Sequence, residues 1–589
     1  MHNARCKAQD AECGRDGSVK GACSPRCVVE PISRMTRTRT WIVAALCVLL
    51  SGLVVAQAPK TAPAQHFVWP GETEALPAAA AAAVDAIRTP ALAAHIAFLA
   101  SPSLEGRGLG GRGLEASAEY VAAALAVAGV QPLAASGGSN PAAAYFQPVS
   151  MREVRGMRGV VSITARGTGA RPVERGRFVS AVDALFPELP PAVLTGGLVF
   201  AGYGIRESSP ARDDYQGLDV RGKVVVVLAG LPAGDEWRTP ELVARYAAEA
   251  VRPRFGAKSA LAASLGAKAL LAIEGPGFTR ILAAALAAAR ASAKAPFFVL
   301  AEGAQQPPVI PVIRLSARAG GTILGPSAAG APRAKPRELP GVAATIRISG
   351  LERPLTARNV IAAIPGSDPK LKEEALVIGA HLDHLGQSGG RYYPGADDNA
   401  SGVASLLEIA RAFAASPQKP KRTVVFAFWT GEEEGHLGSE HYVRHPLWPL
   451  ERTAVYLNLD MIGHPWTKAE IEKLVSETKL PRGEEFLSRV KPEDFVELGV
   501  AEWAPDVAEV LARAARGTNL ALRLDRTDGK SGGSDYREFA RRELPWVRFF
   551  GNYFNGYHEP TDTVETLDVG QVRKMARLAL ASAWMLADR

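Results

Sequence analysis

A chain of 589 residues exceeds one ordinary domain and has room for two or three cores. An apolar fraction of 47% and a charged fraction of 22% fit a globular protein and exclude a disordered one. The formal charge of +8 is half concentrated in the first forty residues, and no basic stripe interleaved with aromatics points to nucleic acid. The five cysteines (Cys6, Cys13, Cys23, Cys27 and Cys47) all lie in the first 47 residues. A disulfide framework, a thiolate zinc site and a cysteine nucleophile are therefore excluded from the rest of the chain.

In chain order, MTRTRTWIVAALCVLLSGLVVAQA begins at Met35 with two arginines, continues through an apolar run from Trp41 to Val55, and ends Ala56-Gln57-Ala58. That is the pattern of a secretory signal peptide, too short for a comfortable membrane span. Cys47 lacks the small residue just before it that a lipid-modified cysteine requires. Residues 1–34 read as a mis-assigned extension upstream of the true start, with a genuine cysteine-bearing extension as the competing reading. The expectation is an exported protein, secreted or periplasmic, beginning near Pro59 and without a membrane span after signal removal.

Residues 59–76 are Pro/Ala-rich and linker-like. Ala78–Ala100 and Glu115–Ala128 carry helical periodicity. Between them, SPSLEGRGLGGRG contains a literal G-x-G-x-x-G from Gly108 to Gly113. A dinucleotide fingerprint needs a strand before its glycines; here a helical stretch precedes them, so the motif reads as a loop entering a helix.

From about 150 to 345 short strands dominate: VVSITA, GGLVFAGYG, GKVVVVLAG, KALLAI and VIPVIRL. From Arg358 the pattern becomes strand–helix–strand. ALVIGA, TVVFAFW, TAVYLNL and PWVRFFG are too continuously apolar to alternate, as in a sheet covered on both faces. SGVASLLEIARAFAA and VRKMARLALASAWML read as helices over it. The predicted fold class is α/β, with a mostly parallel, doubly covered sheet. Residues 464–519 read as a charged helical insertion near the mouth of the site.

In such sheets ligands bind beyond the carboxyl ends of the strands. ALVIGA runs into His381-Leu382-Asp383. The loop RYYPGADDNASG carries Asp397 and Asp398 just before a helix. TVVFAFWTG runs into Glu432-Glu433-Glu434, TAVYLNL into Asp460, and PWVRFFGNYFNG into Tyr557-His558. Adjacent carboxylates repel one another, and a cation among them would turn that repulsion into ligation. Imidazole and carboxylate donors without sulfur suit zinc, with manganese or cobalt behind it. Two histidines and three carboxylates exceed what one catalytic zinc accepts, and fit two metals sharing a bridging carboxylate.

GAHLDH…GADDNASG…GEEEGHLGS…NLDM…YHEPTDT resembles the secreted co-catalytic dizinc peptidase family, which includes bacterial exported aminopeptidases, glutamate carboxypeptidase and the transferrin receptor. The resemblance implies two zinc ions per chain, with His381 and Glu433 on one, Asp460 and His558 on the other, and Asp397 bridging them, followed by a cis peptide bond. It further implies Glu432 as the general base toward the attacking water. Asp383, two residues past His381, reads as orienting that imidazole, and Tyr557, beside His558, reads either as an oxyanion donor or as a packed aromatic. Glu434 is expected to face solvent or cap the next helix. The order GLVFAGYG…DYQGLDVRGKVVVVL…KSALAASLGAKALLAI…PVIRLSARAGGTIL resembles a protease-associated domain. The implied organisation is a leader over 1–58, an N-terminal part of the peptidase domain over 59–188, the insert over 189–341, and the catalytic domain over 342–589. The implied function is hydrolysis of the N-terminal peptide bond of peptide or protein substrates.

Rival readings are a dizinc carboxypeptidase, a glutaminyl cyclase-like enzyme with one zinc, and a receptor-like module without catalysis. GKSGG, from Gly529, is a literal G-x-S-x-G that would make Ser531 a nucleophile with His558. That reading leaves Asp397, Glu432, Glu433 and Asp460 massed without a cation, at an electrostatic cost. His441 and His445, spaced i, i+4, lack the glutamate of H-E-x-x-H and read as helix-surface residues, while His384 and His464 match no ligand position.

Overall fold

The structure, a computed structural model, describes residues 67–589 apart from 135–140, 167–170, 247–255, 275–278, 293–295, 304–309, 326–334 and 389. The leader expected over residues 1–58, with all five cysteines, lies outside the described residues. No single helix among the described residues is long and apolar enough to cross a membrane.

The principal strands are β1 (Phe146–Arg166), β2 (Arg337–Ile364), β3 (Ala375–His381), β4 (Thr423–Trp429), β5 (Thr453–Leu459), β6 (Phe495–Ala501), β7 (Ala521–Thr527) and β8 (Trp546–Phe550). At the centre of the sheet β4, β3, β5 and β8 run parallel in that spatial order. The end of β2 joins antiparallel beside β4, and β6 joins antiparallel beside β8 with β7 parallel to it. Every residue of β3 and β4 is buried, which explains their unbroken apolar runs. The stretch expected to be a charged helical insertion, 464–519, does form helices over Lys468–Thr478, Gly483–Arg489 and Pro505–Gly517, and it also supplies β6 to the sheet. Val496, Leu498 and Val500 of β6 enter the main core.

Helices cover both faces. On one, α3 (Gly402–Ala415) packs against α7 (Val569–Ala587), where Phe413 and Trp584 stack at 4.9 Å. On the other, α4 (Leu437–Arg444) and α6 (Tyr536–Ala540) lie near Trp429 and Tyr456, and Phe539 stacks on Tyr456 at 3.8 Å. The Trp429 indole N–H donates to the Tyr456 hydroxyl (2.9 Å), which donates to Asn458 (2.7 Å). Gly379 leaves room for this pair, because a Cβ there would lie 2.5 Å from both polar atoms. The polar groups under the site are thus satisfied inside an apolar core.

β1 and β2 pair antiparallel over most of their lengths and lead into a second core. That core gathers Val161, Ile163 and Phe178 with residues of the strands Ala192–Phe200, Val224–Leu228, Ala269–Ile273 and Val312–Leu315. It draws on residues well upstream of 189, where the insert was expected to begin, since β1 itself contributes one wall.

The glycine loop before α2 (Arg112–Val127) passes very close to other backbone. A Cβ on Gly113 would sit 1.6 Å from the Leu104 carbonyl, and one on Gly106 would sit 2.5 Å from the carbonyls of Gly386 and Tyr393. The glycines serve packing, and the motif is a loop entering a helix. Between them, buried Arg107 donates to the carbonyls of Leu99, Leu382, Pro394 and Gly395, tying this loop to the segments that carry His381 and Asp398. Gly113→Ala is therefore expected to cost about 2 kcal/mol or more and to lower the thermal midpoint by several degrees. Gly197→Ala, whose Cβ meets nothing within 4 Å, should leave it unchanged; scanning calorimetry of the two variants checks this.

Candidate metal centre

Because the four central strands are parallel, their carboxyl ends share one edge, and the residues just past them converge there. His381 is the last residue of β3, Glu432 and Glu433 follow β4, Asp460 follows β5, and His558 lies beyond β8. Asp398 arrives from the loop between β3 and α3. Its Oδ1 lies 3.3 Å from His381 Nε2, and its Oδ2 lies 3.2 Å from His558 Nε2. Asp460 Oδ1 is 3.3 Å from His381 Nε2, and Glu433 Oε2 is 3.1 Å from His558 Nε2. Two trios result, His381–Asp460–Asp398 and Glu433–His558–Asp398, sharing one carboxylate.

This geometry corrects two expectations. The carboxylate between the trios is Asp398, and the cis peptide bond follows it, joining Asp398 to Asn399. Asp397 turns away: its Oδ1 accepts from the Gly463 N–H at 2.7 Å and its Oδ2 pairs with His464 at 2.7 Å. The chain departs from helical geometry at Asp398 (φ −105°, ψ 90°), directly after Asp397, and the two neighbouring side chains meet different partners. The partners also exchange, since His381 lies with Asp460 and His558 with Glu433. β3 is flanked by β4 and β5, and the chain after β5 is the one that turns its carboxylate toward His381.

Buried carboxylates hold the backbone of these loops. Asp383 accepts from the N–H groups of Glu432 (3.1 Å) and Glu433 (3.2 Å), while Asp562 accepts from those of Asp397 (2.9 Å) and Asp398 (3.0 Å). Asp383 reaches His381 through its carbonyl: the imidazole Nδ1 lies 3.1 Å from that oxygen, and its carboxylate is 4.0 Å away. A donating Nδ1–H leaves the Nε2 lone pair facing the cluster. His384, which matches no ligand position in the sequence motifs, is buried and sits 2.7 Å from Glu433 Oε1. Its i, i+3 spacing from His381 at a strand end is the signal that points to it. Asp562 is legible only as part of YHEPTDT.

The field is strongly negative. Burial alone would lower the His381 pKa, but Glu432, Asp460 and Asp398 hold it well above the ordinary imidazole value. Burial likewise opposes a charge on His558, and Asp398 and Glu433 raise it to about 10. Asp398 stays well below the usual carboxylate range, because the two histidines outweigh burial. Burial, only partly offset by His381 and His436, lifts Glu432 to about 8. A field that draws protons onto two imidazoles would equally draw a divalent cation. Four ligand atoms about 2.0–2.1 Å from a tetrahedral zinc lie about 3.3 Å from one another, matching the histidine-to-carboxylate distances in both trios. The residues fit two metal ions.

The Tyr557 ring stacks on His558 at 3.9 Å, lining the same cavity as Asp398, Glu432 and Asp460. Burial and then Asp398 and Glu433 raise its pKa, so the phenol keeps its proton and remains a donor. Glu434 does not cap α4, whose N-cap is His436. It is half-buried in a neighbouring cavity with Phe298, Leu355 and His384, and burial followed by Glu188 and Asp383 pushes it to about 8. Ser531 is exposed in a turn outside the cavity, which removes the geometric basis of the serine-nucleophile reading. His441 and His445 lie on α4 and its C-cap, beside Glu302.

Residues 359–583 match the family model of Peptidase family M28. The chain is 27% identical over 515 residues to a probable lipoprotein aminopeptidase, LpqL, of Mycobacterium tuberculosis, covering 84% of each. It is 38% identical over 111 residues to leupeptin-inactivating enzyme 1 of Streptomyces exfoliatus, spanning 19% of this chain and only 24% of that relative. Among solved structures, an aminopeptidase from Aneurinibacillus sp. strain AM-1 aligns with a TM-score of 0.45 at 18% identity, covering 86% of this chain and 96% of that one. The family match begins at the end of β2 and runs through every strand and loop that brings a donor to the cluster, so over that length the chain is similar to peptidase family M28.

Proposed function

We propose that the protein is an exported aminopeptidase that uses two zinc ions to hydrolyse the N-terminal peptide bond of peptides. The observation that carries this reading is the pair of donor trios sharing Asp398. His381, Asp460 and one oxygen of Asp398 would hold one ion; Glu433, His558 and the other oxygen would hold the second. When bound, the ions supply Lewis acidity to the attacking water and to the scissile carbonyl.

The chain's own groups do the rest. Glu432 takes a proton from the water and delivers it to the leaving amine nitrogen, a general base–acid role. The Tyr557 phenol donates to the carbonyl oxygen as charge develops there. Asp383 and Asp562 hold the loops so that these groups need not reorganise.

Aminopeptidase polarity is supported by the LpqL relative's description. The carboxypeptidase reading has one observation in its favour, Arg548 at the cavity wall, which could receive a free carboxylate. Export rests on the leader-like segment over 35–58. The second core, with its strand order, is read as the protease-associated insert.

Glu432→Gln should keep its zinc and lose at least about 10³-fold in kcat, measured on aminoacyl p-nitroanilides alongside elemental analysis. Asp398→Asn should lose zinc and activity together, whereas Asp397→Asn should retain zinc. Peptides with a blocked N-terminus should resist cleavage while C-terminal amides are cleaved; the reverse pattern would assign the carboxypeptidase reading. Zinc binding to metal-free protein at pH 7.5 should release protons. His558, raised to about 10, is protonated at that pH and must lose its proton to ligate, and His381, raised well above the ordinary imidazole value, adds to the release. Calorimetry in buffers of differing ionisation enthalpy reads the number released.

A further inference from the structure

His436 occupies the turn between the Glu432–Glu434 loop and α4 and is not used by the chemistry above. It is 5% exposed and left-handed, with φ +68°. Its backbone N–H donates to the Glu432 carbonyl at 2.8 Å, and its ring returns to the same residue, with Nε2 3.2 Å from Glu432 Oε1. The other glutamate oxygen, Oε2, faces the cluster, 4.0 Å from His381 Nε2. On the far side His436 Nδ1 has no hydrogen-bond partner and points to Glu538 Oε1 at 3.6 Å. Glu538 is itself buried and held by Arg537 (2.8 Å) and Arg541 (3.1 Å).

A glutamate side chain has three rotatable bonds, and a general base must present one chosen oxygen to within a few tenths of an ångström. Asp383 accepts from the Glu432 amide and so fixes its backbone, leaving the carboxylate to be held by another group. His436 fits that need. Burial would favour the neutral ring, but Glu432 and Glu538 outweigh it and raise His436 to about 9, so both ring nitrogens carry donors toward carboxylates.

We propose that the buried His436–Glu538 pair is a positioning device for Glu432, anchoring Oε1 so that Oε2 is presented to the attacking water. This inference rests on the reading of Glu432 as the base. Two arginines secure Glu538, Glu538 orients the imidazole, and the imidazole fixes one glutamate rotamer. The stack reaches from the arginines to Glu432, and neither His436 nor Glu538 is a member of either donor trio.

The test compares zinc-loaded wild type with His436→Leu, His436→Gln and Glu538→Gln, each as full chain, for kcat, KM, zinc content and thermal midpoint. His436→Leu should lower kcat about 100-fold, the loss expected from misplacing a catalytic group by about 1 Å, with KM within about twofold and zinc content unchanged. His436→Gln, which keeps a donor, should recover at least about tenfold of that loss, and Glu538→Gln should lower kcat about fivefold. In a Glu432→Gln background His436→Leu should have no further effect on kcat, because the group being positioned is gone. Wild-type kcat in His436→Leu, or equal losses in the Leu and Gln variants, would overturn the proposal. If His436→Leu loses its fold or its zinc, Glu538→Gln decides: a lowered kcat at constant KM supports the pair, and an unchanged kcat overturns it. An active Glu432→Gln enzyme would overturn the base assignment and this inference with it, whereas an inactive one beside fully active His436 variants overturns the pairing alone.

Discussion

Asp398, Glu432, Glu433 and Asp460 meet at one edge of a parallel sheet, and the repulsion among them is the constraint to which the surrounding structure responds. At an effective dielectric constant of about 20, two like charges about 4 Å apart cost on the order of 4 kcal/mol. Parallel strands make the meeting unavoidable, because β4, β3, β5 and β8 all end on the same side. Protons on His381 and His558 relieve part of the repulsion, and cations held between the same atoms would relieve it fully. The negative field would draw a cation, and burial lifts Glu432 to about 8.

Precision at this edge comes from groups that never meet the substrate. Asp383 and Asp562 each hold two consecutive backbone amides, one pair under Glu432 and Glu433, the other under Asp397 and Asp398. Arg107, wholly buried, ties together four carbonyls from three segments around the site. Burial lowers its pKa to about 10, with Asp562 and Asp398 opposing, so the guanidinium stays charged at neutral pH. It is a cation built into the fold beside the carboxylates, and Gly106 next to it lets the chain pass close to the Gly386 and Tyr393 carbonyls. On the opposite side the His436–Glu538 pair gives Glu432 a comparable anchor.

Much of this architecture is legible in the amino-acid sequence. The apolar runs of β3, β4 and β5 announce a sheet covered on both faces, and the donor that follows each run announces the site. Which of two neighbouring aspartates lies between the two trios is not legible. Asp397 and Asp398 are adjacent and chemically identical, and only the local backbone decides which side chain faces the cluster; His464 and the Gly463 amide claim Asp397. Nor is the pairing of donors, which depends on which strands are neighbours; β3 lies between β4 and β5 for reasons of topology that no motif spells out. Phe495–Ala501 shows a third limit, since a short strand inside a charged helical stretch carries too little periodicity to stand out.

The account predicts two cations sharing Asp398. Diffraction from zinc-loaded crystals at the zinc absorption edge tests this most directly. Two anomalous peaks about 3.5–4 Å apart, one between His381 and Asp460 and one between Glu433 and His558, with Asp398 touching both, are the expected result. A single peak, or ions seated on Asp397, would contradict it.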